Sequence, residues 1–228
     1  MSIFDQLQLE EALLRVDTRN FCILNHNASR AIVMGISGKE HELIDITKVQ
    51  EAKIPVIRRF SGGGTVITDA STLFSSFIFN HTLLDISPFP ESILQWSADF
   101  YRQALGIKDF GLKEHDYVIN NHKCGGNAQY LRKDRFVHHS TFLWDYSEKN
   151  MSYLLLPKKM PTYRQNRTHE NFLCTIKPWI LSIDEMKYRI IEQLKTVFDV
   201  KIVSLEELKT IVEIPHRKTT CQLSFECV

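Results

Sequence analysis

Arg58-Arg59-Phe60-Ser61-Gly62-Gly63-Gly64-Thr65-Val66 is the stretch on which the fold and the chemistry of this chain turn. Consecutive glycines let a backbone reach positive φ and come close to a ligand. The N–H groups of such a turn form a concavity for anions. Two arginines beside it supply charge-assisted donors for a carboxylate or a phosphate. The chain has only nine glycines, and three of them are spent here. The spacing is neither that of a P-loop nor that of the G-x-G-x-x-G dinucleotide turn. On chemistry alone, an ordinary glycine turn with solvent-facing arginines remains open.

Moving outward, Ile54–Ile57 leads into the glycines as a strand. Thr65–Thr68 and Leu73–Phe79 follow as strands rich in β-branched and aromatic residues. Upstream, residues 5–16 place Leu7, Leu9, Ala12, Leu13 and Val16 at helical spacing. Phe21–Leu24 and Ala31–Ile36 read as a strand pair across a turn-rich connection. Downstream, Glu91–Leu105 is a helix introduced by Pro88 and Pro90. Three strands come next, Tyr117–Asn120, Lys123–Leu131 and Phe136–Trp144. Pro157–Pro178 has no periodicity and is read as a long functional loop, and helices at Ile183–Phe198 and Leu205–Ile211 close the chain. Strands in the middle with helices at the ends predict an α+β fold with a mixed, largely antiparallel sheet flanked by helices.

Length and composition bound the function. At 228 residues, with 43% hydrophobic and 24% charged residues, the chain reads as a single domain over 1–228 with its own core. Twenty-eight basic against 27 acidic residues give a net charge of +1, which argues against a nucleic-acid binder. No run approaches the 18 consecutive apolar residues of a membrane span. Five scattered cysteines without a CxxC pair favour a reducing, cytoplasmic setting over a disulfide framework.

Two further segments carry chemistry. Asn120-Asn121-His122-Lys123-Cys124-Gly125-Gly126-Asn127-Ala128-Gln129 sets a lysine before a glycine pair, either as a ligand-facing strand or as a plain hairpin. Cys124 is open to two readings, a nucleophile beside a cation or a small core residue. Tyr163-Arg164-Gln165-Asn166-Arg167-Thr168 places two arginines in an irregular loop, as a polyphosphate clamp or a solvated surface. His138 and His139 alternate across a strand and cannot ligate one metal together. No nucleophile elbow is present.

Together these segments resemble the biotin/lipoate A/B protein ligase family, in its lipoate–protein ligase A branch. The R-R-x-S-G-G-G-x-V run is matched at Arg58–Val66, the lysine strand at Lys123–Gln129 with Cys124 in place of an aliphatic residue, and the His-rich strand at His138–Leu143. The stretch LQLEEALL at 7–14 resembles the opening helix of the family. The biotin ligase branch carries a different glycine–arginine loop.

The resemblance implies a catalytic domain related to the class II synthetase fold, here without a C-terminal accessory domain. It implies a ligase that joins lipoate or octanoate to AMP with ATP and Mg²⁺ and passes the acyl group to a lysine of a lipoyl carrier domain. The carriers would be E2 subunits of 2-oxoacid dehydrogenases or the glycine cleavage H protein, with a separate accessory-domain protein as a further partner. Lys123 is the implied catalytic residue. Arg58, Arg59, Ser61, Gly62, Gly63, Gly64, Thr65, Val66, Gly126, Asn127, Ala128, His138 and Ser140 would hold the acyl adenylate. Asp116, Arg164 and Arg167 would serve ATP and its phosphates, Asp116 also as a magnesium ligand. Thr68-Asp69 stands where the family pattern has His-Asp, so no role of that histidine carries over. Two alternatives remain: a lipoyl or octanoyl transferase that uses a preformed donor, and a partner-dependent or non-catalytic binder of lipoyl domains.

Overall fold

The computed structural model describes residues 1–26, 28–156 and 160–225. Its centre is a six-stranded antiparallel sheet in the order β1-β5-β9-β8-β7-β6. The strands are β1 (Phe21–Asn25), β5 (Thr72–Asn80), β6 (Phe110–Lys113), β7 (Asp116–Ile119), β8 (His122–Leu131) and β9 (Arg135–Leu143). A four-stranded sheet lies beside it in the order β10-β3-β2-β4. It comprises β2 (Ala31–Met34), β3 (Val56–Arg58), β4 (Val66–Thr68) and β10 (Cys221–Leu223). The expected α+β class with a largely antiparallel sheet is observed.

The expected pairing of Phe21–Leu24 with Ala31–Ile36 is not. β1 pairs with β5 in the large sheet, and β2 pairs with β3 and β4 in the small one. Burial explains the separation. Ile32 and Met34 face a core with Ile44, Val49 and Met151, while Ala31 and Val33 face another with Ile3, Leu7 and Phe74. A strand apolar on both sides needs cover on both sides, which an edge hairpin does not provide. β2 and β3 accordingly run parallel.

The helices divide between the faces of the large sheet. α1 (Ile3–Val16) packs Leu9 and Leu13 against Phe21, Ile78 and Val137 on one face. α2 (Glu40–Leu43), α3 (Ile46–Glu51) and α5 (Glu148–Met151) are short; Val49 of α3 and Met151 of α5 cover the small sheet. α4 (Pro90–Leu105) has Pro at its first turn and Gly106 as a left-handed C-cap. It buries Ile93, Leu94, Ala98, Tyr101 and Leu105 on the opposite face, together with Met186, Ile190 and Leu194 of α7 (Ile183–Val197). α8 (Leu205–Lys209) starts on a Ser204–Glu207 capping box and returns Leu208 to the α1 side. The segment read as one aperiodic loop contains a 3₁₀ turn at Thr162–Arg164 and α6 (His169–Phe172). Pro157, its first residue, lies outside the described residues.

Candidate functional site

The glycine run hangs from the end of β2. Arg59 N–H donates to the Met34 carbonyl and Ile36 N–H to the Ser61 carbonyl, both at 2.9 Å. Contact is closest at Gly35, where any Cβ would lie 2.2 Å from the Gly63 carbonyl oxygen. Gly63 itself has φ +93, a conformation that favours glycine.

Arg59 shapes the run from inside. Its guanidinium is buried, with Nε donating to Ser61 Oγ at 3.0 Å and the Gly62 carbonyl at 3.1 Å. Nη2 reaches the carbonyls of Gly62 and Gly64 at 2.5 and 2.9 Å. Burial lowers its pKa to about 10, opposed by the charge of Glu10, so it remains a cation at neutral pH. With these carbonyls turned to Arg59, the N–H groups of Gly62, Gly63 and Gly64 donate to no protein group among the described residues. An exposed turn of unpaired N–H groups backed by a fixed cation is an anion cradle.

Behind the run lies a buried polar chain. Ser61 Oγ is 2.8 Å from His139 Nε2, and His139 Nδ1 is 2.8 Å from Glu10 Oε2. Glu10 Oε1 accepts from Ser76 Oγ at 2.5 Å and from Gln6 Nε2 at 2.8 Å. Arg59 donates to Ser61, so the hydroxyl hydrogen is free to point at His139 Nε2. The other ring nitrogen, Nδ1, faces the Glu10 carboxyl group. Glu10 is a functional candidate that the sequence reading did not single out, and His139 was weighed there only beside His138. Their signal was a charged residue within the apolar face of α1 and the alternation that sends His139 opposite to His138.

Lys123 reaches the same face of the sheet through an irregularity. The pairing of β7 with β8 shifts so that Tyr117 opposes Gly125 while Val118 opposes Lys123, leaving Cys124 as an inserted residue. Such a bulge reverses the side on which the preceding side chain emerges. Lys123 therefore shares a face with Gly126, whose missing Cβ would lie 3.5 Å from Lys123 Nζ. In a regular strand the two would point apart. Gly63 packs over the next residue of that face, with its ideal Cβ 3.1 Å from Ala128 Cβ. The lysine and the glycine cradle thus stand over one strip of β8.

The ammonium of Lys123 pairs with Asp116 Oδ1 at 2.7 Å, and Tyr163 OH donates to Asp116 Oδ2 at 2.9 Å. Burial and then the Asp116 charge hold the Tyr163 hydroxyl above its ordinary range, so it stays a donor. The Tyr163 N–H is tied to Glu114 Oε1 at 3.0 Å. His169 is pushed down by burial, then by the cations of Arg164 and Lys123, and is neutral at pH 7.

The remaining expected site residues fall in four groups. Asn127 donates to the His115 carbonyl at 2.7 Å and so braces the turn before Asp116. Arg58 is paired with Glu40 across the β3 end, and Thr65 and Val66 lead from the cradle into β4. Arg164 and Arg167 point back into their own segment. Each donates to the other's carbonyl, and their guanidinium carbons lie 4.6 and 5.3 Å from the Phe172 ring centroid. These contacts stiffen the segment that carries Tyr163, and Arg164 Nη2 is buried there without a hydrogen-bond partner. His138 and Ser140 lie on the α4 face, away from Lys123. His138 Nε2 is 2.8 Å from Tyr117 OH and 3.2 Å from Ser140 Oγ, and burial lowers its pKa to about 3.

Asp116, the expected magnesium ligand, is turned to Lys123 and Tyr163. No group of three His, Cys, Asp or Glu converges among the described residues. Likewise, no helix among the described residues is long and apolar enough to cross a membrane.

Against known proteins, the family described as lipoyl protein ligase A/B catalytic domain matches 2–195, and the chain belongs to that family. A Plasmodium falciparum protein named inactive lipoate–protein ligase 2 is 31% identical over 77% of this chain and 61% of its own length. The lipoate-protein ligase LplJ of Bacillus subtilis is 29% identical over 61% of this chain and 42% of its own length. The chain thus spans less than two thirds of these relatives. Three solved structures share the fold. P. falciparum LipL1 in complex with lipoate has a TM-score of 0.72, 18% identity and coverage of 94% of this chain and 66% of that one. A lipoate-protein ligase A bound with ATP has a TM-score of 0.70, 16% identity and coverage of 92% and 87%. A bi-partite lipoate protein ligase of Thermoplasma acidophilum, solved with its E2 lipoyl domain, has 0.69, 17% and coverage of 92% and 86%.

Proposed function

We propose that this chain is a lipoate–protein ligase: it joins lipoate or octanoate to AMP at the expense of ATP and passes the acyl group to a carrier-domain lysine. The observation that carries the reading is the juxtaposition of an anion cradle and a cation over one strip of β8. The free N–H groups of Gly62–Gly64, backed by Arg59, suit the carboxyl end of the acid and the adenylate phosphate. Lys123, released from Asp116, can reach the acyl oxygen and the α-phosphate, where negative charge grows during both half-reactions. Asp116 and Tyr163 hold the lysine ready, and an incoming anion replaces one charge partner with another. Ser61, oriented by His139 and Glu10, presents its hydroxyl at the root of the cradle. Gly126 and Ala128 keep the strip flat enough for the adenylate to lie along it. Arg164 and Arg167 act at one remove, through the placement of Tyr163.

The carrier in this reading is a lipoyl domain of a 2-oxoacid dehydrogenase E2 subunit or the glycine cleavage H protein. A net charge of +1 offers no long-range steering, so docking rests on local contacts. A second reading is transfer from a preformed adenylate supplied by a partner, which needs no activation step by this chain; the 31% identical relative is named an inactive ligase. The test is the mass of an apo lipoyl domain incubated with the protein and lipoate plus ATP, octanoate plus ATP, or lipoyl-adenylate alone. An acyl-sized gain that requires ATP supports the complete ligase. A gain only from the adenylate supports the transfer half, and no gain in any arm overturns both.

A further inference from the structure

The inserted residue of the bulge has a partner. Leu173, just after α6, forms a parallel bridge with Lys123, and the Cys174 N–H donates to the Lys123 carbonyl at 2.9 Å. In a parallel bridge the residues that follow stand side by side on the same face, roughly 4.8 Å apart at Cα. Here those residues are Cys124 and Cys174. That separation lies within the span a disulfide bridges. Both thiols are reduced and point to the α4 side of the sheet. Cys124 belongs to the core there, and Cys174 packs against it. Cys124 Sγ also donates to the Tyr117 carbonyl and Cys174 Sγ to the His122 carbonyl, each at 3.4 Å.

The two thiols differ in the way an exchange pair requires. Burial drives the Cys124 thiol well up and keeps it protonated, while the neighbouring Cys124 side chain pulls Cys174 down. Cys124 is fully buried, whereas Cys174 is partly exposed. An accessible thiol of lowered pKa is an attacking group, and a buried neighbour in bonding range is a resolving one.

We infer that Cys174 and Cys124 form a thiol–disulfide exchange site on the reverse side of the Lys123 strand, open to small disulfides and able to close a cross-strand disulfide. The Cys174 thiolate attacks one sulfur of R–S–S–R, forms a mixed disulfide and expels RS⁻. Cys124 then attacks the Cys174 sulfur, its proton passes to RS⁻, and a second RS⁻ leaves and is protonated from solvent. Two protein thiols are oxidised and one small disulfide is reduced to two thiols. The new bond fixes Leu173, and with it α6 and the segment bearing Tyr163, to the strand of Lys123. This inference does not depend on the acyl-transfer reading.

The test uses oxidised glutathione on the full chain, followed by alkylation and mass spectrometry of non-reduced tryptic peptides. The expected product joins the Cys124 and Cys174 peptides with the loss of two hydrogens, reverts in dithiothreitol and forms while the exposed Cys221 still alkylates. In Cys124→Ala, where a core side chain is only shortened, the reaction should stop at a glutathione adduct on Cys174. Cleavage by trypsin after Arg167 should slow in the oxidised wild type. A wild-type adduct on Cys174 with Cys124 still alkylatable after denaturation overturns the inference. So does a Cys174 that reacts no sooner than Cys221, and unchanged cleavage after Arg167 overturns the pinning of the segment.

Discussion

The cradle and the lysine stand on the same strip of β8, yet they are held in opposite ways. Arg59 is locked by the chain's own carbonyls and the Ser61 hydroxyl, contacts that no substrate has reason to replace. Lys123 is held by one carboxylate at 2.7 Å and remains about a quarter exposed, so an anion can take that carboxylate's place. The comparison separates framework from machinery: a cation immobilised by backbone shapes a site, and a cation held by an exchangeable charge acts in it. The buried chain from Ser61 through His139 to Glu10 extends the framework into α1, whereas Tyr163 ties the machinery to a surface segment.

Lys123→Ala breaks the comparison most sharply. Loss of a preorganised cation at developing charge lowers transfer by about 10²- to 10³-fold. A partly exposed ion pair contributes only about 0–1 kcal/mol, so the melting temperature should hardly move. Activity and thermal denaturation of the purified variant together check this, and a large drop in stability would place Lys123 in the framework instead.

Arg59→Ala should show the reverse balance. Removing the guanidinium orphans Ser61 and the carbonyls of Gly62 and Gly64, at about 1–3 kcal/mol for each group that water does not reach. Urea denaturation should move to clearly lower midpoints, with weaker acyl-adenylate binding measured by calorimetry.

His138 tests the buried face behind the strip. It stays neutral to about pH 3 in the folded chain, whereas an exposed imidazole takes a proton near pH 6.5. Between those values the unfolded state binds more protons, so stability rises with pH by up to about 1.4 kcal/mol per unit. Denaturation at pH 7.5, 6 and 5 should show this slope, and His138→Asn should flatten it.

Tyr163→Phe is the mildest change. It removes one neutral-to-carboxylate hydrogen bond worth roughly 1.5–3 kcal/mol locally. Because Asp116 keeps Lys123, the net loss should be near the lower end. A fall in kcat at temperatures where the variant is still fully folded would sharpen the assignment of Tyr163 to the machinery.

Much of this was legible in the chain. The glycine run, the lysine strand and the amphipathic periods of α1, α4 and α7 follow from side-chain type at fixed spacing. What was not legible depends on partners distant in sequence. β2 reads like half of a hairpin, and only its burial on both faces sends it to a second sheet. The bulge at Cys124 leaves no mark in composition, yet it decides which face Lys123 meets. His138 and His139 are equivalent as letters. The register of β9 gives one to the α4 core and the other to the cradle. Nor does the sequence show that Arg164 and Arg167 stack on Phe172 and bond each other's carbonyls, with Arg167 also reaching the Asn121 carbonyl at the tip of the β7–β8 hairpin.

The most direct test of the division between framework and machinery is single-turnover transfer from preformed lipoyl-adenylate to an apo lipoyl domain, with wild type and Lys123→Ala at saturating donor. The account predicts fast acylation by the wild type and a Lys123→Ala protein that binds the adenylate, is folded, and acylates at least about 100-fold more slowly. Equal rates for the two proteins would contradict it.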